Sequence, residues 1–287
     1  MLHSRAFLLL ILLAGCCFIA PAEKTNVSPN EQTRLEETNL SHPRGAIVIA
    51  HGLNQRPSSM EPLASFFRAH GYHTLRLTLA GHDTPTNEPF PSSVWPTQIR
   101  SAFQALHSRY PHLPVLYLGY SMSGLAAIQA IESASDFSPN QMILIAPAIS
   151  LRTIIESARF VRWLPATTLS VRNLAPQAYR RYPRTPLFWY QNVAEMYLHV
   201  QSLTSPARAR SIPTLLFVNP RDELVSHEGI TSWISDNQLS ERWKLSIIRP
   251  HTPDPRLAEH LLIDERSLGT ESWQKMQQEI LSFLDLQ

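Results

Sequence analysis

The chain has 287 residues, 44% of them hydrophobic and 17% charged, with a formal net charge of +2. That length and composition can fill the core of one large α/β domain or two small ones, which excludes general disorder. No lysine- and arginine-dense run suggests a nucleic-acid groove, and the two cysteines, Cys16 and Cys17, are adjacent and cannot frame a disulfide scaffold.

The chain begins MLHSRAFLLLILLAGCCFIA, with Arg5 in a short polar start and an apolar run from Ala6 to Ala20. That run is short of the ~20 residues of a comfortable membrane span and has the length of a signal-peptide core. Its end, Leu13-Ala14-Gly15-Cys16, resembles the bacterial lipobox, in which the cysteine is lipidated and becomes the first mature residue. The resemblance implies a lipoprotein signal peptide over residues 1–15 and membrane attachment through an anchor at Cys16, with palmitate as the expected kind of modification; an ordinary cleaved signal is the alternative. Cys17 in the second mature position gives no aspartate-type retention signal, so the expected destination is the cell envelope, outer membrane rather than inner. From Pro21 the chain is polar and short of large apolar side chains, and residues 16–43 read as a flexible tether.

From residue 44 the texture changes. AIVIAHG, YHTLRLTLA, PVLYLGYS, MILIAPAI, TLLFVNP and KLSIIRP are near-continuous apolar runs of strand length, the pattern of buried parallel strands. Between them lie helical patterns over Pro62–His70 closed by Gly71, Val94–Arg109 stopped by Pro111, Met122–Glu132, and His227–Asn237. Strand alternating with helix predicts a doubly wound sheet. The alternation breaks between about 150 and 211, a proline- and aromatic-rich interval too long for a structureless loop, which reads as a cap over the carboxyl edge of the sheet.

Chemistry concentrates at the strand ends. LGYSMSGL puts Ser121 after an apolar strand and before a helix, close to the G-x-S-x-G pattern that exposes a serine hydroxyl on a sharp turn, with Ser123 where the second glycine would stand. A helix N-cap serine is the bland alternative. A hydroxyl needs a base, and the base an orienting acid. Asp222 follows the strand TLLFVNP, with Glu223 beside it as a competitor; His260 and His251 are the candidate bases, and a loop reaching back to the serine favours His260. For the developing oxyanion, Gly52 frees the amide of Leu53 after the first strand, and the amide of Met122 follows the serine.

These motifs resemble the α/β-hydrolase superfamily, and within it the monoacylglycerol lipase and lysophospholipase-like hydrolases. The resemblance runs through HGLN, LAGHD, GYSMSG, NPRDELV and EHLLID, over roughly Arg44 to Leu286. It implies a mostly parallel central sheet flanked by helices over residues 44–287, with a helical cap inserted after the sixth strand. It also implies Ser121 as nucleophile, Asp222 and His260 as its partners, Leu53 and Met122 as oxyanion donors, a small-molecule ester or lipid substrate, and no metal or organic cofactor. The motif departs from the family at Ser123 and at AGHD. The same triad on this fold serves thioesterases, peptidases and acyltransferases, and a non-catalytic envelope lipoprotein is the reading from another class. Oligomeric state has no signature in the sequence.

The cap has a signature of its own. Residues 151–210 hold nine arginines against Glu156 and Glu195, a formal +7, interleaved with aromatics such as Tyr179, Phe188 and Trp189. Two readings stand: a surface for anionic head groups or acidic substrates, or a basic face over an aromatic core.

Overall fold

The computed structural model describes residues 31–84, 86, 88–152, 169–251 and 258–285. The expected signal peptide, Cys16 and the first half of the expected tether lie outside the described residues. The elements run β1 (Arg34–Glu36), β2 (Gly45–Ala50), α1 (Glu61–Ala69), β3 (Tyr72–Leu77), α2 (Val94–Arg109), β4 (Val115–Tyr120), α3 (Met122–Ser133) and β5 (Met142–Ile145). A hairpin of β6 (Ser170–Arg172) and β7 (Arg184–Pro186) follows, then α4 (Leu187–Ser202) and α5 (Ala207–Ser211). After these come β8 (Thr214–Val218), α6 (His227–Asp236), β9 (Trp243–Ile247), α7 (Glu265–Leu268) and α8 (Thr270–Leu284).

Seven strands make one sheet in the order β1-β3-β2-β4-β5-β8-β9, parallel except for the β1–β3 pair. The six apolar runs read from the sequence are the six parallel strands. Alternate residues of each strand serve opposite faces. Ile47, Leu118 and Phe217 pack with residues of α1 and α8, whereas Val48, Tyr117 and Leu216 pack with residues of α2 and α3. Burial on both faces is why these strands lack polar alternation. Helix starts follow local chemistry: the Ser226 hydroxyl accepts the Gly229 amide to cap α6, and Asp264 and Ser267 form a reciprocal capping box on α7.

Two expectations need correction. The stretch 31–43 is part of the domain rather than tether, because β1 covers the edge of β3 in the register Leu35↔Leu75. Glu36 meets Arg68 at 2.6 Å, the buried Glu31 accepts the Ser58 hydroxyl at 2.8 Å, and the Thr38 hydroxyl donates to Arg68 O at 2.8 Å. The insertion follows the fifth strand of the described residues rather than a sixth, since a single strand precedes β2 there.

The described part of the cap is packed into the domain. Phe188 and Trp189 belong to the core cluster that includes residues of α2 and α3, and α4 lies against α3. Its arginines hold backbone carbonyls: Arg152 donates to Pro220 O, Arg180 to Asn173 O, Arg181 to His82 O, Arg184 to Ser170 O and Arg208 to Ile131 O. Among the described residues, the basic and aromatic signature is therefore mostly pinning and packing. Arg159 and Arg162 lie outside them. No helix among the described residues is long and apolar enough to cross a membrane.

Two histidines are buried where β2 and β3 end. His51 donates from Nδ1 to Gly52 O at 2.8 Å and accepts the Leu79 amide on Nε2 at 3.1 Å. His82 accepts the Asn54 amide on Nε2 at 2.9 Å, lies 4.4 Å from the His51 ring and stacks on Trp189. Burial disfavours both imidazolium forms, lowering the His51 pKa from 6.5 to about 4 and that of His82 well below its ordinary value.

Two outcomes are expected. A chain starting at Arg44 lacks β1 and its contacts and should melt lower than one starting at Glu31 by about 5 °C or more in a circular-dichroism scan; equal midpoints would return 31–43 to the tether. The unfolded chain binds protons on these histidines below about pH 6.5 while the folded chain does not, so stability is complete above that pH and declines as pH falls toward 4. The denaturant midpoint of His51→Gln should fall less steeply over that window than the unsubstituted protein's; identical slopes would contradict the burial argument.

Candidate active site

The site is built where β4 hands over to α3. Ser121 sits between them at φ 54 and ψ −115, a backbone conformation that L-residues rarely adopt. Its amide donates to Ile145 O at 2.9 Å, and its carbonyl accepts the Gly124 and Ala148 amides at 3.1 Å each, so both neighbouring segments pin the turn. Glycine is needed on either side. A Cβ on Gly119 would meet Gly124 N at 2.9 Å, and a Cβ on Gly124 would meet Pro147 Cβ at 2.8 Å. Gly124 thus meets the close-packing requirement one position later than the motif places it. Ser123 is fully buried, its hydroxyl accepting the Tyr120 amide at 2.9 Å and reaching Ala50 O at 2.8 Å. It ties the ends of β2 and β4 and faces no solvent.

Asp222 and His260 come to Ser121 from two other loops. His260 Nδ1 lies 2.7 Å from Asp222 Oδ2, and His260 Nε2 lies 2.9 Å from Ser121 Oγ. A carboxylate only accepts, so Nδ1 carries the proton and Nε2 is left to accept the serine hydroxyl. Asp222 is 1% exposed, and its other oxygen accepts the Leu224 and Val225 amides at 2.8 and 2.9 Å, which fixes the carboxylate plane. The histidine loop is held on three sides. The Tyr120 hydroxyl donates to His260 O at 3.0 Å, Glu223 accepts the His260 amide at 3.1 Å, and Asn219 donates to Glu259 O at 3.0 Å. Burial and the nearby carboxylates, Asp222 first, push the Tyr120 pKa well up, so it remains a phenol that donates.

The competitors separate cleanly. Glu223 meets the backbone of His260, not its ring. His251 bonds Ser272 Oγ at 3.1 Å, and its amide donates to Leu268 O at 2.7 Å, which commits it to α7 and α8.

Of the two expected oxyanion donors, Met122 directly follows the serine and Leu53 lies on the loop that leaves β2, the strand paired with β4. β2 and β4 are neighbours in the register Ala50↔Gly119, so the chain leaving β2 passes the turn, and a Cβ on Gly52 would meet the Tyr120 ring at 2.9 Å. In the loop 52–56 the Gly52 amide goes to Gln55 Oε1, Asn54 to His82 Nε2, Gln55 to Gly52 O and Arg56 to Tyr179 O. Leu53 alone in that loop has an amide with no acceptor among the described residues. Met122, first in α3, likewise offers an amide that no carbonyl of its own helix can reach. The arrangement provides a hydroxyl with a base, an oriented base, and two free N–H groups nearby, the parts needed for acyl transfer. Four supporting residues had no role assigned from sequence: Asn54, Tyr120, His82 and Asn219. An asparagine directly after His-Gly-Leu was a legible hint, since asparagine is among the few residues that tolerate positive φ. No group of metal-ligating side chains occurs among the described residues.

A family model described as serine aminopeptidase, S33, matches residues 41–249. No curated protein matches the chain. Among solved structures, a metagenome-derived lipolytic enzyme of the LipS and LipT pair is 19% identical, covering 90% of this chain and 99% of its own at a TM-score of 0.68. A soluble variant of monoglyceride lipase from Saccharomyces cerevisiae is 12% identical, covering 93% and 96% at 0.68. A thermostable carboxyl esterase from Bacillus coagulans is 12% identical, covering 91% and 98% at 0.64. At such identities the structures establish a shared fold, and the sequence match establishes kinship: the chain belongs to the serine aminopeptidase S33 family and is a serine hydrolase of the α/β-hydrolase fold.

Proposed function

We propose that this hydrolase cleaves carboxylic esters through an acyl-enzyme on Ser121, and the observation that carries the proposal is the unbroken chain Asp222–His260–Ser121 at 2.7 and 2.9 Å. Ser121 Oγ attacks the ester carbonyl carbon as its proton passes to His260 Nε2, while Asp222 keeps the ring oriented through Nδ1–H. The carbonyl oxygen becomes an oxyanion and accepts hydrogen bonds from the Leu53 and Met122 amides. Collapse breaks the bond to the alkoxy oxygen, which takes the proton from Nε2 and leaves as the alcohol. Water then gives a proton to Nε2 and attacks the acyl carbon; collapse breaks the bond to Ser121 Oγ, which takes that proton back from Nε2, releasing the acid and the free Ser121 hydroxyl.

The ester reading is supported by the names of the structural neighbours: a lipolytic enzyme, a monoglyceride lipase and a carboxyl esterase. The family description favours a second reading, cleavage of an amino-terminal peptide bond by the same residues. Attachment to the cell envelope through Cys16 belongs to the proposal as well, on the strength of Leu13-Ala14-Gly15-Cys16; it would keep the enzyme at a lipid surface.

A chain-length series of p-nitrophenyl esters set against aminoacyl p-nitroanilides separates the two substrates, with ester turnover expected to dominate kcat/KM; faster anilide cleavage would reverse the assignment. Ser121→Ala and His260→Ala should each lower kcat by roughly 10⁴-fold or more, whereas His251→Ala should stay within about threefold; a silent His260→Ala would remove the triad. In a bacterial host, incorporation of labelled palmitate should disappear in Cys16→Ser, and label that persists would refute the anchor.

A further inference from the structure

We propose that Asn54 is the positioning residue of the oxyanion loop, holding the Leu53 amide in place by clamping the loop to the base of the cap. The inference rests on the proposed function, since it assigns Leu53 a transition-state contact.

Asn54 directly follows Leu53, is 2% exposed and stands at φ 48. A side chain at positive φ carries a cost that glycine would not, and asparagine bears it better than most residues. Here the side chain is fully used. Asn54 Oδ1 accepts the Tyr182 amide at 2.8 Å, and Nδ2 donates to Tyr182 O at 3.0 Å and to Thr185 Oγ1 at 2.6 Å. Its backbone is used too, the amide on His82 Nε2 at 2.9 Å and the carbonyl on the Arg181 amide at 2.8 Å. Every polar atom of the residue is therefore committed, three of the five bonds run through its side chain, and four of them reach residues 181–185. Neighbouring contacts repeat the pattern, with Gln55 bridged to Arg180 and the Arg56 amide on Tyr179 O.

The consequence concerns the cap. Residues 179–185 serve as a fixed wall against which the oxyanion loop is set, and the loop's other amides are spent on that wall, on His82 and on the loop itself, leaving Leu53 free. Losing the clamp leaves ground-state binding intact and loosens one donor that matters as charge develops on the oxygen. That predicts a loss in kcat without a matching change in KM.

The test compares Asn54→Gly with the unsubstituted enzyme. Glycine accepts φ 48 without strain, so this substitution removes the side-chain bonds with no steric penalty. The prediction is a kcat for p-nitrophenyl ester lower by about 10- to 100-fold, a KM within about threefold, and an affinity for a trifluoromethyl ketone, whose serine adduct carries an oxyanion, lower by a similar factor. Thr185→Val removes one acceptor of the clamp from the cap side and should move both quantities the same way by a smaller factor, which also covers the case of an Asn54→Gly protein that fails to fold. Unchanged kcat, a raised KM at constant kcat, or unchanged ketone affinity overturns the assignment. Those results leave the proposed function standing in an active enzyme. An unsubstituted protein that neither turns over ester nor reacts with a fluorophosphonate would remove the proposed function, and this inference with it.

Discussion

The rest of the site depends on one turn. The chain leaves β4 and enters α3 through a single residue, Ser121 at φ 54, a conformation that costs a non-glycine residue on the order of 1–3 kcal/mol. The surroundings over-determine it: Ile145 O takes the Ser121 amide, Ala148 and Gly124 donate to its carbonyl, and Gly119 and Gly124 allow strand and helix to approach. With the backbone held there, the side chain meets His260 across 2.9 Å. Ser123 closes the same corner from beneath, its hydroxyl tied to Ala50 O and the Tyr120 amide. A glycine in that position could not make those bonds, so the departure from the motif adds hydrogen bonds to the turn.

Around that turn the fold brings three sheet-edge loops together, each stabilised by partners outside the triad. The loop after β8 locks Asp222 through two amides, and Tyr120, Glu223 and Asn219 hold the histidine loop. The loop after β2 rests on His82 and on the base of the cap. His51 and His82 connect these parts only as neutral rings, because each must accept a backbone amide on Nε2, and burial keeps them neutral. Buried polar groups of this kind fix geometry when every member has a partner.

Much of this was legible in the chain because it is local. Apolar runs placed the six parallel strands, Pro111 and Gly71 placed helix ends, and the order of Ser121, Asp222 and His260 at strand ends pointed to the triad. What was not legible depends on contacts distant in sequence. The antiparallel β1 comes from a polar segment with little intrinsic signal and exists because β3 offers it an edge. Asn54 meets Tyr182 and Thr185 more than a hundred residues away. The cap arginines read as a charged face because their acceptors are carbonyls, which composition cannot reveal. Both serines of LGYSMSGL are small and polar; the contact of Ser121 with His260 and the bonds of Ser123 to Ala50 O and the Tyr120 amide separate them in the fold.

In the proposed mechanism Ser121 forms the covalent intermediate while Ser123 stays sealed in the turn. Tandem mass spectrometry of the protein acid-quenched during turnover of a p-nitrophenyl ester tests it most directly. The expected result is an acyl group on Ser121 and an unmodified Ser123; an acyl group on Ser123 or on any residue other than Ser121, or no acyl group while ester is being consumed, would contradict that mechanism.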